Sequence, residues 1–114
     1  MSSLADIALE RRNGVVIASL SGEVDMTNAG FVRDELLAAV PNDAIALVVD
    51  LGGCRYLDSA AIEVVFDVSR RLDRRRQQLR LVVPETSPLG RVLELTDVGS
   101  VAPLHATLEG ALEQ

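Results

Sequence analysis

Residues 45–51, Ile-Ala-Leu-Val-Val-Asp-Leu, form an apolar, β-branched run broken only by Asp50. A strand with one wet face alternates apolar and polar residues; a near-continuous run suits a parallel strand covered on both faces. Gly52-Gly53-Cys54-Arg55-Tyr56-Leu57-Asp58 then reads as a short loop, and the amphipathic pattern predicts a long helix starting near Ser59. Such a strand feeding a helix commits the chain to an α/β architecture. It also delivers one exposed hydroxyl, Ser59, to a helix N-terminus, where backbone N–H groups favour negative charge.

The remaining segments agree with that class. Residues 4–11 and 14–21 are apolar-rich and separated by Asn13-Gly14, a hairpin signal. Val15 and Ile17 alternate with Val16, Ala18 and Leu20, so both faces of the second strand are expected to be covered. The segment Gly22-Glu23-Val24-Asp25-Met26-Thr27-Asn28 reads as a polar turn rich in N-cap residues. A helix of about four turns is expected next, with Ala29, Val32, Leu36, Ala39 and Val40 on its inner side and Pro41-Asn42-Asp43 at its end. In the helix from Ser59, the spacing puts Ala61, Ile62, Val65, Val68, Ser69 and Leu72 inside and Glu63, Asp67, Arg70 and Arg74 outside. The cluster Arg70 to Arg76 sits where cations complement the helix dipole, and a charge run in that place is most simply a solvated helix end.

Residues 79–83 read as a strand. Thr86-Ser87-Pro88 supplies an N-cap and a proline at the first position of a short helix through Leu95. A brief strand near 100–103 and a final helix to about 113 complete the order β-β-α-β-α-β-α-β-α. The expected fold is one α/β domain over residues 1–114, with a mixed sheet of about 4–5 strands and about four helices.

Composition narrows the chemistry. The chain has 114 residues, a net charge of −6 and eleven basic residues, all arginine. Without lysine there is no phosphate-loop lysine, no Schiff-base amine and no lysine general base. One Tyr, two Phe and no Trp leave an aliphatic core, and an acidic, aromatic-poor domain is a poor nucleic-acid binder. The lone Cys54 excludes an internal disulfide and a cysteine-based metal site. No apolar run is long enough to span a bilayer and no signal stretch opens the chain, so a soluble cytoplasmic protein is expected. His105, the single histidine, follows the last expected strand, away from Ser59, so a Ser-His-Asp site is not formed. No Gly-x-Ser-x-Gly elbow surrounds Ser59, and neither metal nor cofactor is expected.

Three separated motifs carry a resemblance: Leu20-Ser21-Gly22-Glu23-Val24-Asp25; Val49-Asp50-Leu51 with Leu57-Asp58-Ser59; and Ser87-Pro88 through Arg91, Leu93 and Thr96. Together they resemble the STAS domain of the bacterial anti-sigma factor antagonist family over essentially the whole chain. The resemblance implies a regulator rather than an enzyme. Its unphosphorylated form would bind an anti-sigma factor that is also a serine/threonine kinase, releasing a sigma factor for transcription; phosphorylation would free the antagonist, and a metal-dependent phosphatase of the PP2C type would reset it. By this resemblance Ser59 would occupy the phosphoacceptor position, and the partner surface would take in Glu23, Asp25, Phe31, Asp58, Ala60 and Glu63. The family pattern continues Ser or Thr and then Gly after the acceptor; Ala60 and Ala61 stand here instead. STAS domains also serve as accessory subunits of lipid-transport ABC systems or as stress-signalling scaffolds without phosphorylation, the alternative role.

Several of these residues have a plainer reading. Ser59 or Asp58 would serve equally as the N-cap of the second helix, a role worth about 1 kcal/mol. Glu23 and Asp25 suit an ordinary polar loop as well as an acidic docking site for arginines of a partner. Phe31 projects opposite the apolar stripe of the first helix, as a stray exposed aromatic or as a partner contact.

Overall fold

A computed structural model describes residues 5–113. Strands β1 (Ala5–Arg12) and β2 (Val15–Val24) form an antiparallel hairpin closed by Asn13 and Gly14, both at positive φ (51° and 82°). Helix α1 (Ala29–Ala38) leads to β3 (Ala46–Leu57), α2 (Ser59–Arg74), β4 (Gln78–Val82) and α3 (Gly90–Leu95). A 3-10 turn (Val98–Ser100), strand β5 (Leu104–His105) and α4 (Leu108–Leu112) finish the chain. The five strands lie in the order β1-β2-β3-β4-β5, with β2 through β5 parallel, so the sheet is mixed as expected.

Alternation along the strands divides the core in two. Val16, Ala18 and Leu20 of β2 with Leu47, Val49 and Leu51 of β3 face α1, α2 and α3. Val15 and Ile17 of β2 with Ala46, Val48 and Val82 face α4 through Ala111. Coverage on both faces is the reason residues 45–51 read as a continuous apolar run. On α2, Ala61, Ile62, Val64, Val68 and Leu72 are buried. Val64 joins the inner face, while Val65 is only half-buried.

Several boundaries differ from the sequence expectation. Position 4 of the first expected strand lies outside the described residues. The expected polar turn at 22–24 belongs to β2, which runs on to Val24 through two register shifts against β3. The expected loop at 52–57 is likewise strand. Gly52-Gly53 reads as a breaker, yet a Cβ at Gly53 would lie 3.1 Å from the Ser21 Cβ, so glycine lets β3 stay beside β2. Cys54 and Leu57 then turn inward.

Helix α1 is shorter than four turns because Pro41 disfavours helical geometry in the residue before it. Val40 N–H accordingly closes the end with a tight bond to the Leu37 carbonyl (3.3 Å). Ser87 does not cap α3: its hydroxyl accepts from Leu89 N–H (3.0 Å) in the preceding turn, the N-cap position falls on Leu89, and regular helix begins only at Gly90, so Pro88 is not its first residue. The strand expected near 100–103 is absent: Ser100 ends a 3-10 turn over Val98–Ser100, set by Asp97 at φ 58° and closed by Ser100 N–H on the Asp97 carbonyl (3.1 Å), and 101–103 are irregular. Pairing with β4 starts later, so His105 lies within β5 and not after it.

Candidate functional site

The C-terminal ends of β2 and β3 lie side by side, Val24 opposite Leu57, and both chains leave the sheet there. One enters the loop 25–28 before α1; the other enters α2 directly. Asp58, in extended geometry, is the N-cap of α2: its Oδ1 accepts from Ala61 N–H (3.0 Å). Its Oδ2 accepts from Met26 N–H (2.9 Å). One carboxylate therefore ties the mouth of α2 to the neighbouring loop, and the Asp58 N–H bonds the Val24 carbonyl (3.2 Å) beneath them. Which of Asp58 and Ser59 caps the helix is settled by this geometry in favour of Asp58.

Ser59 is the first residue of α2, exposed, and its hydroxyl has no hydrogen-bond partner among the described residues. No acidic side chain occupies the first turn of the helix. Ala60 is half-buried, and Ala61 is buried against the core, where a small side chain fits.

The loop 25–28 is braced from within. Asn28, buried, accepts from Asp25 N–H through Oδ1 (2.9 Å) and donates through Nδ2 to the Glu23 carbonyl (3.0 Å). It precedes α1 without capping it by its side chain, so its work is to hold the loop. Asp25 accepts from the hydroxyl and the N–H of Thr27, and these two bonds, the hydroxyl first, hold its carboxyl below the usual value. Glu23 faces Arg55 at 4.0 Å across the strand pair, both on the solvent side.

Helices α1 and α2 enclose an open groove of about 620 Å³ beside this mouth, lined by Gly30 and Arg33 on one side and Ala60, Glu63, Asp67 and Arg70 on the other. The expected partner residues Asp25, Asp58, Ala60 and Glu63 thus share one end of the molecule, with Glu23 at the strand terminus below. Phe31 is 56% exposed on α1 but does not line the groove. Met26 is the residue that sequence reasoning missed. It is 79% exposed, and its backbone is held by Asp58. A large apolar residue inside a polar turn was the available signal.

Cys54 stands behind the site, buried, with its thiol pushed up by burial and directed at the Tyr56 carbonyl (3.6 Å). It has the character of a packing residue rather than a nucleophile. Among the described residues no group of three or more His, Cys, Asp or Glu side chains is placed to hold a metal ion. No described helix is long and apolar enough to cross a membrane.

Comparison with known proteins follows the same lines. The STAS domain family matches residues 6–111. The chain is 34% identical over 106 residues to BtrV of Bordetella bronchiseptica, which carries the name of an anti-sigma factor antagonist, covering 92% of this chain and 90% of that one. The crystal structure of an anti-sigma factor antagonist from Mycobacterium paratuberculosis superimposes with a TM-score of 0.83 at 28% identity, over 96% of this chain and 92% of that one. The Bacillus cell fate determinant SpoIIAA in its phosphorylated form shares the fold, with a TM-score of 0.63 at 22% identity over 95% and 97% of the two chains. This chain belongs to the STAS domain family, and its relatives there include proteins named as anti-sigma factor antagonists.

Proposed function

We propose that the protein is an anti-sigma factor antagonist. Its unphosphorylated form binds an anti-sigma factor with serine kinase activity, phosphorylation of Ser59 ends that binding, and a PP2C-type phosphatase restores it. The division of roles at the head of α2 carries this reading. Asp58 performs the capping, which leaves the Ser59 hydroxyl exposed, unbonded and without a duty in the fold. The names of the relatives supply the class of partner.

A phosphate on Ser59 adds about −1.5 to −2 charges at neutral pH. Within the domain, the orphan N–H groups of the first turn favour that charge, so the fold survives. A partner seated over Asp58, Met26 and the groove must instead accept a desolvated dianion next to a carboxylate. Mispaired interfacial charge of this kind costs about 2–5 kcal/mol, a loss of tens to thousands of fold in affinity. The switch acts at the interface.

The test is incubation of the purified chain with its cognate anti-sigma kinase and ATP, read by intact mass, with partner binding measured in parallel. Wild type is expected to gain one phosphoryl group and lose its partner. Ser59→Ala should gain none and stay bound. An unmodified wild type, or a Ser59→Ala chain that is still modified, overturns the assignment.

A further inference from the structure

Ser59 and Arg74 begin and end the same helix, about 22 Å apart at 1.5 Å per residue. The far pole, at the N-terminal ends of the parallel strands, has a construction of its own. Helix α2 exits through paired bonds, Arg76 N–H to the Asp73 carbonyl and Gln77 N–H to the Leu72 carbonyl, both 2.9 Å. This motif places Arg76 at φ 59°, a left-handed position where glycine is the usual occupant. An arginine stands there against its backbone preference.

Arg74, Arg75 and Arg76 are all exposed, and none makes an ion pair among the described residues. Arg70 and Arg71, one turn earlier, share Asp67 at 3.4 Å each. The surface beneath the three is braced by hydrogen bonds. Gln77, 5% exposed, donates its amide to the Pro41 (2.8 Å) and Ala44 (3.0 Å) carbonyls, and Arg75 donates to the Val40 carbonyl (3.2 Å). Next to this brace Ile45 is 59% exposed, while its N–H bonds the Gly14 carbonyl (2.8 Å) and its carbonyl accepts from Gln78 N–H (3.2 Å). Three exposed guanidinium groups without an ion pair among the described residues therefore gather at one helix end, in a chain whose net charge is −6.

We propose that this pole is a second docking surface, which takes an acidic protein segment through Arg74, Arg75 and Arg76. Guanidinium groups bind carboxylates in pairs of parallel bonds, and arginine is enriched at protein interfaces where lysine is depleted. An extended polyanion is a poorer match. The acidic remainder of the domain repels a duplex or an anionic bilayer over their length. The three aromatic residues, Phe31, Tyr56 and Phe66, lie in the first turn of α1, near the end of β3 and in mid-α2, so none is placed to stack bases at this pole. A compact acidic segment covers the arginines with few of the domain's own carboxylates, Asp73, next in the chain to Arg74, and Asp43, in the segment that Gln77 braces, being exposed there. Because the length of α2 separates this surface from Ser59, the two ends bind independently.

The probe is a labelled oligo-glutamate peptide titrated with the full chain and followed by anisotropy at low and physiological ionic strength. A DNA duplex and phosphatidylglycerol-containing vesicles serve as comparators. Saturable, salt-weakened binding to the peptide is expected. The double variant Arg74→Gln/Arg76→Gly should lower the affinity about tenfold, the scale of two exposed charge contacts. Glycine relaxes the backbone at position 76, so its melting temperature should not fall and lost folding is not the route to lost binding. Arg91→Gln, an exposed arginine elsewhere, and Ser59→Glu should bind as wild type does. The proposal fails if the peptide does not bind, if the duplex or vesicles bind more tightly, if the double variant is unaffected, or if either control loses affinity equally.

Discussion

Asp58 joins two elements through one carboxylate, and its removal has a size that follows from the geometry. Asp58→Ala deletes the acceptor 3.0 Å from Ala61 N and the acceptor 2.9 Å from Met26 N. Loss of the cap costs about 1 kcal/mol. The second bond lies at the surface, where water replaces much of it, and adds about 1 kcal/mol. The sum of roughly 2 kcal/mol lowers the melting temperature by roughly 6–12 °C in a domain of this length. Asp58→Asn separates the two contributions. Asparagine remains a good N-cap through its single oxygen but has no second acceptor, so roughly 1 kcal/mol should be lost, all of it at the Met26 side. Urea unfolding gives the totals, and amide hydrogen exchange gives the location. In the asparagine variant Met26 exchange should accelerate while Ala61 stays protected. If Asp58→Ala unfolds within about 0.5 kcal/mol of wild type, the scale of an ordinary surface substitution, the bracing role is refuted. The same holds if Met26 exchange is unchanged in both variants.

Two further outcomes are expected. Thr27→Val removes the hydroxyl that does most to lower the Asp25 carboxyl, so carbon-detected NMR titration should show its pKa rising toward the ordinary aspartate value. Because the folded value is the depressed one, the stability Asp25 contributes is present above the unfolded pKa and is lost as pH falls through the folded pKa. An unchanged titration in the variant contradicts this. Cys54, buried with its thiol raised by desolvation, should react with a thiol reagent only at the rate of unfolding, so labelling and denaturant curves should coincide. Rapid labelling under native conditions would place the thiol at the surface.

The class of fold was legible because residues 45–51 are apolar on both faces and α2 has a clear helical stripe; both signals come from burial, which sequence periodicity records well. What escaped was decided by contacts distant in sequence. Gly52-Gly53 carries a loop signature, and only the approach of Ser21 from β2 explains glycine inside a strand. The capping choice between Asp58 and Ser59 was open in the sequence because both side chains suit an N-cap; the Met26 N–H, 32 residues away, gives the aspartate a second partner. Met26 itself stood out locally as a large apolar residue in a polar turn, but nothing local marks its backbone amide as bound to Asp58. His105 was misplaced by a short shift in the last strand, since a two-residue strand leaves almost no alternation to read.

Because the fold asks nothing of the oxygen at position 59, the scaffold survives its loss. Under the function proposed above, a lineage that needs a permanently engaged antagonist reaches one in a single step, by exchanging serine for alanine while the scaffold melts where it did before. The reverse change is equally open, so on that proposal duplicated copies of such a chain can divide into switchable and fixed forms without first acquiring compensating substitutions elsewhere.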